Sequence, residues 1–288
     1  MQAHVTPFFH ASTSTWSYLV RDPASGEAAV IDAPLDFDQA SGEVGHASAA
    51  AILEAAARDG ARVRWILETH AHADHLSAAA WLKERTRAQT AIGAGIVQVQ
   101  ETFRRKLGLD EDEPHLDAGA FDCLLHDGDE LPLGELAIRV VATPGHTSDS
   151  VSYLVGDAVF VGDTLFSPEA GSARCDFPGG DAHALFRSVW RIYDLPATRM
   201  FLAHDYPPEG SAPRAEVPMA EQRAGNRHIR EGVGEADFVA MRRQRDAGLP
   251  PPRLLWPALQ VNIRGGRLPP AEANGQRYLK LPLQLREA

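Results

Sequence analysis

Four predicted β-strands of this chain each end at, or just before, a side chain that can bind a metal ion. The first strand runs into the segment 69–75, and the later three end near His146, Asp163 and His204. In layered α/β proteins, functional sites lie at the turns that follow the carboxyl ends of strands, where they are held rigidly. The sequence therefore predicts a layered α/β fold with a metal site at these strand ends.

The segment 69–75 reads Thr-His-Ala-His-Ala-Asp-His, with three imidazoles and one carboxylate in six positions. The composition of the chain would give such a cluster by chance on the order of once in a thousand chains. His70 and His72 can point the same way from an extended segment, whereas Asp74 and His75 can turn to the other side as a helix begins. One turn can thus serve two adjacent metal positions, although a single histidine at a strand end is more often structural.

Three later residues extend this cluster. His146 lies in Thr-Pro-Gly-His-Thr, where Pro144 and Gly145 predict a tight turn that presents the imidazole rigidly. Asp163 ends a buried strand in Phe-Val-Gly-Asp-Thr-Leu-Phe, and His204 ends another in Phe-Leu-Ala-His-Asp-Tyr. Each alone is only suggestive of a ligand, and the preceding cluster is what makes all three expected metal ligands.

Apolar periodicity predicts the helices that separate the strands. Helical spacing covers about 46–59, 76–87 and 182–193. The dipeptide Asp-Gly at 127–128 is a turn signal between two apolar runs, so we expect a β-hairpin there.

The last quarter of the chain has a different pattern. After Pro218 it is predicted to be helical to about Ala247, then proline-rich, and then to form a short strand, Leu-Gln-Val-Asn-Ile. The sequence shows neither an internal repeat nor a sharp domain boundary. We therefore predict one domain at 1–217 that carries the site, and a C-terminal extension at 218–288 packed on it.

Charge and cysteine content restrict the partners and the compartment. The 39 acidic and 28 basic residues give a formal charge of −11, which repels polyphosphate backbones and anionic membranes. Neither nucleic acid nor a membrane is therefore an expected partner. Cys123 and Cys175 are too few for a disulfide framework, and the sequence has no signal peptide or long apolar run, so we expect a cytoplasmic protein.

The order His-x-His-x-Asp-His, Gly-His-Thr, Gly-Asp-Thr-Leu-Phe and Ala-His-Asp-Tyr resembles the metallo-β-lactamase superfamily over about 15–206. The resemblance implies a four-layer αβ/βα sandwich, in which two mixed β-sheets lie face to face between outer helices. It also makes 1–217 the catalytic domain. The superfamily includes enzymes of several reaction types, so the metal ligands alone leave the reaction open.

Segments that extend beyond the metal-ligand set resemble the persulfide dioxygenases, notably 162–181, which begins Gly-Asp-Thr-Leu-Phe-Ser-Pro and includes Ala-Arg-Cys-Asp-Phe-Pro-Gly-Gly. The resemblance implies one Fe(II) per chain, held by His72, His146 and Asp163, with open positions for oxygen chemistry. The implied substrates are glutathione persulfide and O2, and the implied products are sulfite and glutathione. A homodimer is a further expectation from the family.

The same resemblance assigns roles around the iron. His70, Asp74, His75 and His204 would orient the ligands through hydrogen bonds. The substrate-binding residues would be Arg174, whose guanidinium can pair with a glutathione carboxylate, and Tyr206, whose phenol can donate to its peptide. The alternative role for Arg174 is an internal ion pair with its neighbour Asp176.

A binuclear zinc thioesterase of the glyoxalase II kind is the main alternative. In that enzyme Asp163 would bridge two zinc ions and activate a water. The other six side chains would divide between the two ions: His70, His72 and His146 on one, and Asp74, His75 and His204 on the other. A metal-loaded sensor without catalytic activity and a nuclease are less favoured, because an open coordination sphere indicates turnover and the chain has no evident basic stripe.

Overall fold

The computed structural model describes residues 2–110, 112–207, 210–283 and Leu285. Two six-stranded mixed sheets share one buried apolar core, which includes Tyr18 and Leu67 from the first sheet and Tyr153 and Phe160 from the second. Helices pack against the outer faces, where separate apolar clusters are buried. The predicted α/β sandwich of the metallo-β-lactamase type is confirmed.

The first sheet begins with antiparallel strands and continues with parallel ones. In spatial order its strands are β1 (His4–His10), β2 (Thr15–Arg21), β3 (Glu27–Ile31), β6 (Arg62–Leu67), β8 (Gln89–Gly93) and β9 (Cys123–Leu125). The pairs from β3 to β9 are parallel, and the core strands are almost continuously apolar, as expected for strands covered on both faces.

The second sheet follows the first along the chain. Its strands are β10 (Glu130–Leu133), β11 (Leu136–Ala142), β12 (Val151–Val155), β13 (Ala158–Phe160), β14 (Arg199–Phe201) and β15 (Glu216–Pro218). The hairpin predicted at 127–128 is wrong, because the chain passes there from β9 in one sheet to β10 in the other. The hairpin lies one strand later, between Leu133 and Leu136. A small sheet of β5 (Glu43–Gly45), β4 (Pro34–Asp38) and β7 (Leu76–Ser77) completes the strands named in the described residues.

The helices are α1 (Ala47–Arg58), α2 (Ala79–Thr86), α3 (Ile96–Leu107), α4 (Ala182–Tyr193), α5 (Met219–Gly225), α6 (Glu235–Asp246) and α7 (Leu255–Asn262). The predicted helices at 46–59, 76–87 and 182–193 correspond to α1, α2 and α4. Asp181 caps α4, since its carboxylate accepts the amide of His183. None of the helices in the described ranges is both long and apolar enough to cross a membrane.

The C-terminal region is helical where a final strand was predicted. The Leu-Gln-Val-Asn-Ile segment forms the end of α7 and the residue after it, so that prediction is wrong. The run is buried on nearly all sides, and its apolar pattern therefore does not distinguish a helix from a strand. The division at 217 and 218 stays a prediction, and it falls inside β15. Residues 284 and 286–288 of the predicted extension lie outside the described residues.

Candidate metal centre

Seven histidine and aspartate side chains meet beyond the ends of β6, β11, β13 and β14. Six of them are buried and one, Asp74, is partly exposed. The cluster contains every residue that the sequence predicted as a metal ligand or ligand neighbour: His70, His72, Asp74, His75, His146, Asp163 and His204. Because the four strands belong to both large sheets, the fold gathers ligand-type residues that lie far apart in sequence.

The side chains form two adjacent groups. Within each group, the possible ligand atoms all lie within 4.8 Å of one another. One group is His70, His146 and Asp163, and the other is His72, Asp74 and His204. The resemblance to the persulfide dioxygenases implied that His72, not His70, binds the iron together with His146 and Asp163. The geometry favours His70 at that position, since His72 directs its Nε2 atom away to Asp32 at 2.9 Å. Which residues hold the ion stays a prediction.

Hydrogen bonds fix the tautomers of His70 and His72. The hydroxyl of Thr69 donates to Asp32 at 2.8 Å, so its oxygen accepts from Nδ1 of His70 at 3.1 Å. The Nε2 atom of His72 donates to Asp32. The other nitrogens of the two rings, Nε2 of His70 and Nδ1 of His72, are buried and have no hydrogen-bond partner among the described residues. Such nitrogens are suited to bind a metal ion.

The other three imidazoles are oriented by backbone carbonyls. Nδ1 of His146 donates to the carbonyl of Arg174 at 2.8 Å, and Nδ1 of His204 donates to that of Ser14 at 3.1 Å. Nδ1 of His75 lies 3.4 Å from the carbonyl of Leu76. In each ring Nε2 is therefore the atom free for a metal. Nε2 of His75 is buried and has no hydrogen bond within the described ranges, and Nε2 of His204 and Oδ1 of Asp163 are buried 3.2 Å from each other. This donor set fits a metal site.

Two glycines allow the ligand loops to pack closely. Gly145, in the predicted turn before His146, has φ +143°, and a Cβ there would lie 2.3 Å from the amide nitrogen of Leu185. Gly162, directly before Asp163, has φ +53°, and its Cβ would lie 2.8 Å from Thr69. Only glycine fits such positions without displacing the neighbouring backbone or side chain.

Sequence reasoning missed Asp32, whose hydrogen bonds position the histidine turn of the cluster. Its carboxylate accepts from the amide of Thr69 at 2.7 Å, from the Thr69 hydroxyl and from His72. Asp32 is buried and has φ +53°, a strained conformation for a residue other than glycine. Its only signal in the sequence is a carboxylate at the end of a strand, which by itself is common.

Sequence reasoning also missed Glu68 and Asn262. Burial and the nearby Asp32 raise the pKa of Glu68 to about 8, and its carboxyl group accepts a hydrogen bond from the Ser77 hydroxyl at 2.6 Å. Asn262, at the end of α7, donates to the carbonyls of both His72 and His75 at 2.8 Å. The C-terminal region therefore supports the histidine turn directly.

The carboxylates give the cluster a strong affinity for positive charge. Burial lowers the pKa of His204, but the carboxylates of Asp163 and Asp74 outweigh it and raise that pKa to about 10. For His72, Asp32 likewise outweighs burial and raises the pKa to about 9. Burial and the adjacent His72 lower the pKa of His75 to about 3. A metal cation would replace the protons that these carboxylates otherwise hold on the imidazoles.

A cavity of about 420 Å³ opens from the cluster. Tyr206 lies at its wall with 58% of its surface exposed, and its ring stacks on His204 with 5.9 Å between centroids. Arg174 also lines the cavity, but its guanidinium makes two 2.6 Å bonds to Asp176 and a 2.7 Å bond to the carbonyl of Pro250. The structure thus shows the internal ion pair that was the alternative for Arg174. Substrate binding by Arg174 and Tyr206 stays a prediction.

Comparison with known proteins identifies the family. Residues 12–204, two thirds of the chain, match the model of the metallo-beta-lactamase superfamily. The chain belongs to the metallo-beta-lactamase superfamily. This superfamily member is 50% identical to a probable metallo-hydrolase of Burkholderia pseudomallei, over 97% of this chain and 98% of that one. It is 41% identical to Glyoxylase B2 of Dictyostelium discoideum, over 98% and 97% of the two chains.

A longer relative and a solved structure are also similar to this chain. The superfamily member is 49% identical to the Beta-lactamase hydrolase-like protein of Agrobacterium fabrum, over 99% of this chain but only 65% of that one. The chain therefore spans about two thirds of the length of this relative. Among solved structures, ETHE1 from Myxococcus xanthus superposes with a TM-score of 0.72 at 30% identity, covering 92% of this chain and all of that one.

Proposed function

We propose that this superfamily member is a persulfide dioxygenase, which uses one Fe(II) and O2 to oxidise glutathione persulfide to sulfite and glutathione. The observation that carries the proposal is the similarity to ETHE1, a persulfide dioxygenase, over the whole length of that chain. The residues that follow Asp163 in the segment 162–181 also resemble the same enzymes, and they support the proposal apart from the metal ligands. The assignment as a metal-dependent enzyme follows from the family, and the specific reaction is our proposal.

The donor set supports iron at the first of the two groups. His70, His146 and Asp163 provide two imidazoles and one carboxylate, the set that suits non-haem Fe(II) in oxygen-activating enzymes. An iron ion held by these three residues would supply the oxygen activation that the reaction requires. His72, Asp74, His75 and His204 would then act on the ligands through charge and hydrogen bonds, as the sequence resemblance implies.

The chain itself binds and orients the substrate. The aromatic rings of Phe166 and Phe177 line the cavity beside the metal cluster and would keep water from the persulfide. Tyr206 lies between the metal cluster and solvent, where its phenol can donate to a peptide carbonyl of the thiol carrier. Holding both substrates against one another is the main contribution that the protein can make to such a reaction.

The thioesterase remains the second candidate because the structure gives it specific support. Four imidazole nitrogens and an oxygen of Asp163 are buried without a hydrogen-bond partner in the described part of the chain, more metal-binding atoms than one ion with open positions requires. The two groups could each hold one ion, and Asp163 of the first group lies 3.2 Å from His204 of the second, where a binuclear hydrolase would have a bridging carboxylate. The geometry places His72 with Asp74 and His204, whereas the thioesterase alternative assigned it to the ion of His70 and His146. The name of the relative Glyoxylase B2 agrees with this alternative.

Two measurements together distinguish the dioxygenase from the thioesterase. They are elemental analysis of protein purified without added metal and oxygen consumption with glutathione persulfide as substrate. About one iron per chain with persulfide-dependent oxygen uptake supports the dioxygenase. Two zinc ions per chain, hydrolysis of lactoylglutathione and no oxygen uptake would establish the thioesterase instead.

A matched pair of variants sharpens this test. His70→Ala is expected to remove the iron, whereas His75→Ala should keep about one iron per chain, because it lies outside the proposed ligand group. In a binuclear enzyme each variant would lose a ligand of one ion, so both would lose metal to a similar extent. Equal loss in the two variants would therefore contradict a single iron site.

A further inference from the structure

The C-terminal region forms one wall of the cavity that opens from the metal cluster. Arg242 and Arg245 from α6, His228 from the loop before it, and Leu249 and Pro252 after it all line this cavity. The region therefore contributes to the substrate site and does not merely cover the domain. Its lining residues carry positive charge, in contrast to the acidic chain as a whole.

Of the three arginines that line the cavity, Arg245 is the one that has no counter-charge among the described residues. Arg174 pairs with Asp176, and the buried Arg242 pairs with Asp246 at 2.6 and 2.9 Å. Arg245 is exposed and makes no salt bridge or side-chain hydrogen bond within the described part of the chain. Its charge is thus available to an anionic ligand in the cavity.

His228 adds a buried donor next to this charge. Its side chain is 7% exposed, and Nδ1 accepts the backbone amide of Ser172 at 3.0 Å, so the ring proton is on Nε2. The Nε2 atom has no partner among the described residues. Burial and three nearby arginines, Arg242, Arg245 and Arg227, lower the pKa of His228 to about 4, which keeps the ring neutral. A buried N–H without an acceptor, surrounded by cations, is suited to an anion.

We propose that Arg245 and His228 bind a carboxylate of the thiol carrier, and so select an anionic carrier in the cavity that opens from the metal cluster. The identity of the carrier as glutathione rests on the proposed function. The two-residue site does not, because its chemistry selects any carboxylate that fits beside His228. Arg174 would then mainly stabilise the loop that orients His146, since its carbonyl accepts from that ring.

Calorimetric binding of reduced glutathione to the metal-loaded protein tests this site without turnover. Arg245→Ala is expected to weaken binding at least about tenfold, the effect of losing one charged hydrogen bond. Arg243→Ala is the matched control, since Arg243 is exposed on the same helix but lines a different cavity. It should change the dissociation constant less than twofold. Glutathione diethyl ester, without free carboxylates, should bind the wild type and the Arg245→Ala variant equally weakly.

His228→Gln, which keeps a donor, should bind glutathione more tightly than His228→Phe. If both proteins misfold, the Arg245 comparison alone decides. Unchanged glutathione binding by Arg245→Ala, or no binding by the wild type at millimolar concentration, would overturn the inference. Absence of oxygen uptake together with the expected binding losses would instead reject the proposed reaction and keep the carboxylate site.

Discussion

The substitution Asp32→Asn tests whether the metal centre depends on a carboxylate that no ligand motif contains. Asparagine has nearly the size of aspartate and tolerates positive φ, so the backbone at φ +53° can be retained. What changes is the charge-assisted hydrogen bond from the Thr69 hydroxyl to Asp32 at 2.8 Å, because that hydroxyl in turn accepts from Nδ1 of His70 and so orients Nε2 of this proposed ligand. We expect the protein to fold but to bind metal more weakly.

The expected size of the effect follows from that bond. A hydrogen bond to a charged partner contributes about 1.5–3 kcal/mol, and loss of such a supporting partner typically lowers metal affinity 10–100-fold. The two estimates agree, because each factor of ten corresponds to about 1.4 kcal/mol. We therefore expect a 10–100-fold larger metal dissociation constant, measured by anaerobic titration of metal-free protein against a chelator of known affinity.

The control is Asp22→Asn. Asp22 is also a buried aspartate after a strand, and it accepts from the Ser25 hydroxyl at 2.6 Å and from the amide of Glu135 at 2.9 Å, away from the metal cluster. This variant should lose stability but keep the metal dissociation constant of the wild type. A metal affinity of Asp32→Asn within threefold of the wild type would refute the reasoning.

Three further predictions concern the ligands, the close packing and the pH dependence. Asp163→Ala should abolish metal loading, because the anionic ligand of the proposed set is lost, and a full metal complement by elemental analysis would contradict this. Gly162→Ala should lower the free energy of unfolding by about 2–4 kcal/mol, from the strain of positive φ and the 2.8 Å approach to Thr69. Thermal denaturation should show a smaller loss for Gly42→Ala, where φ is +74° but a Cβ would meet nothing within 4 Å. Hydrogen bonds from Ser25 and Glu135 lower the pKa of Asp22 from 3.8 to about 2. Its contribution, about 1 kcal/mol, is therefore fully present above pH 4 and is lost as the pH falls from about 4 to 2. The stability difference between Asp22→Asn and the wild type in urea titrations should shrink over that range, and a constant difference would contradict the assignment.

The C-terminal region illustrates where local patterns fail. The segment that ends α7 is buried on nearly every side, so the alternation that marks a half-buried strand and the stripe that marks a surface helix are both absent. The Asp-Gly pair at 127–128 does form a turn with Gly128 at φ +85°, but the two strands it joins separate into different sheets. In both cases the local pattern was present, but packing against distant parts of the chain decided which structure the segment forms.

The sequence by itself determined the fold class and the side chains that gather in the candidate metal centre. Spacing within 69–75 and the motifs around His146, Asp163 and His204 are local properties, and the strands that carry them follow from local apolar periodicity. This is why these residues could be named before any distance was known.

The tertiary structure decided how those side chains are oriented and what surrounds them. Whether His70 or His72 joins His146 depends on Asp32, which reaches the cluster from a different strand of the first sheet. The state of Arg174 depends on Asp176 and on the carbonyl of Pro250, which is brought beside it by the C-terminal region. A hydrogen bond decides which nitrogen of an imidazole faces the metal and whether a guanidinium is free to bind a ligand. The groups that make these hydrogen bonds come from distant segments, which only the packed chain brings together.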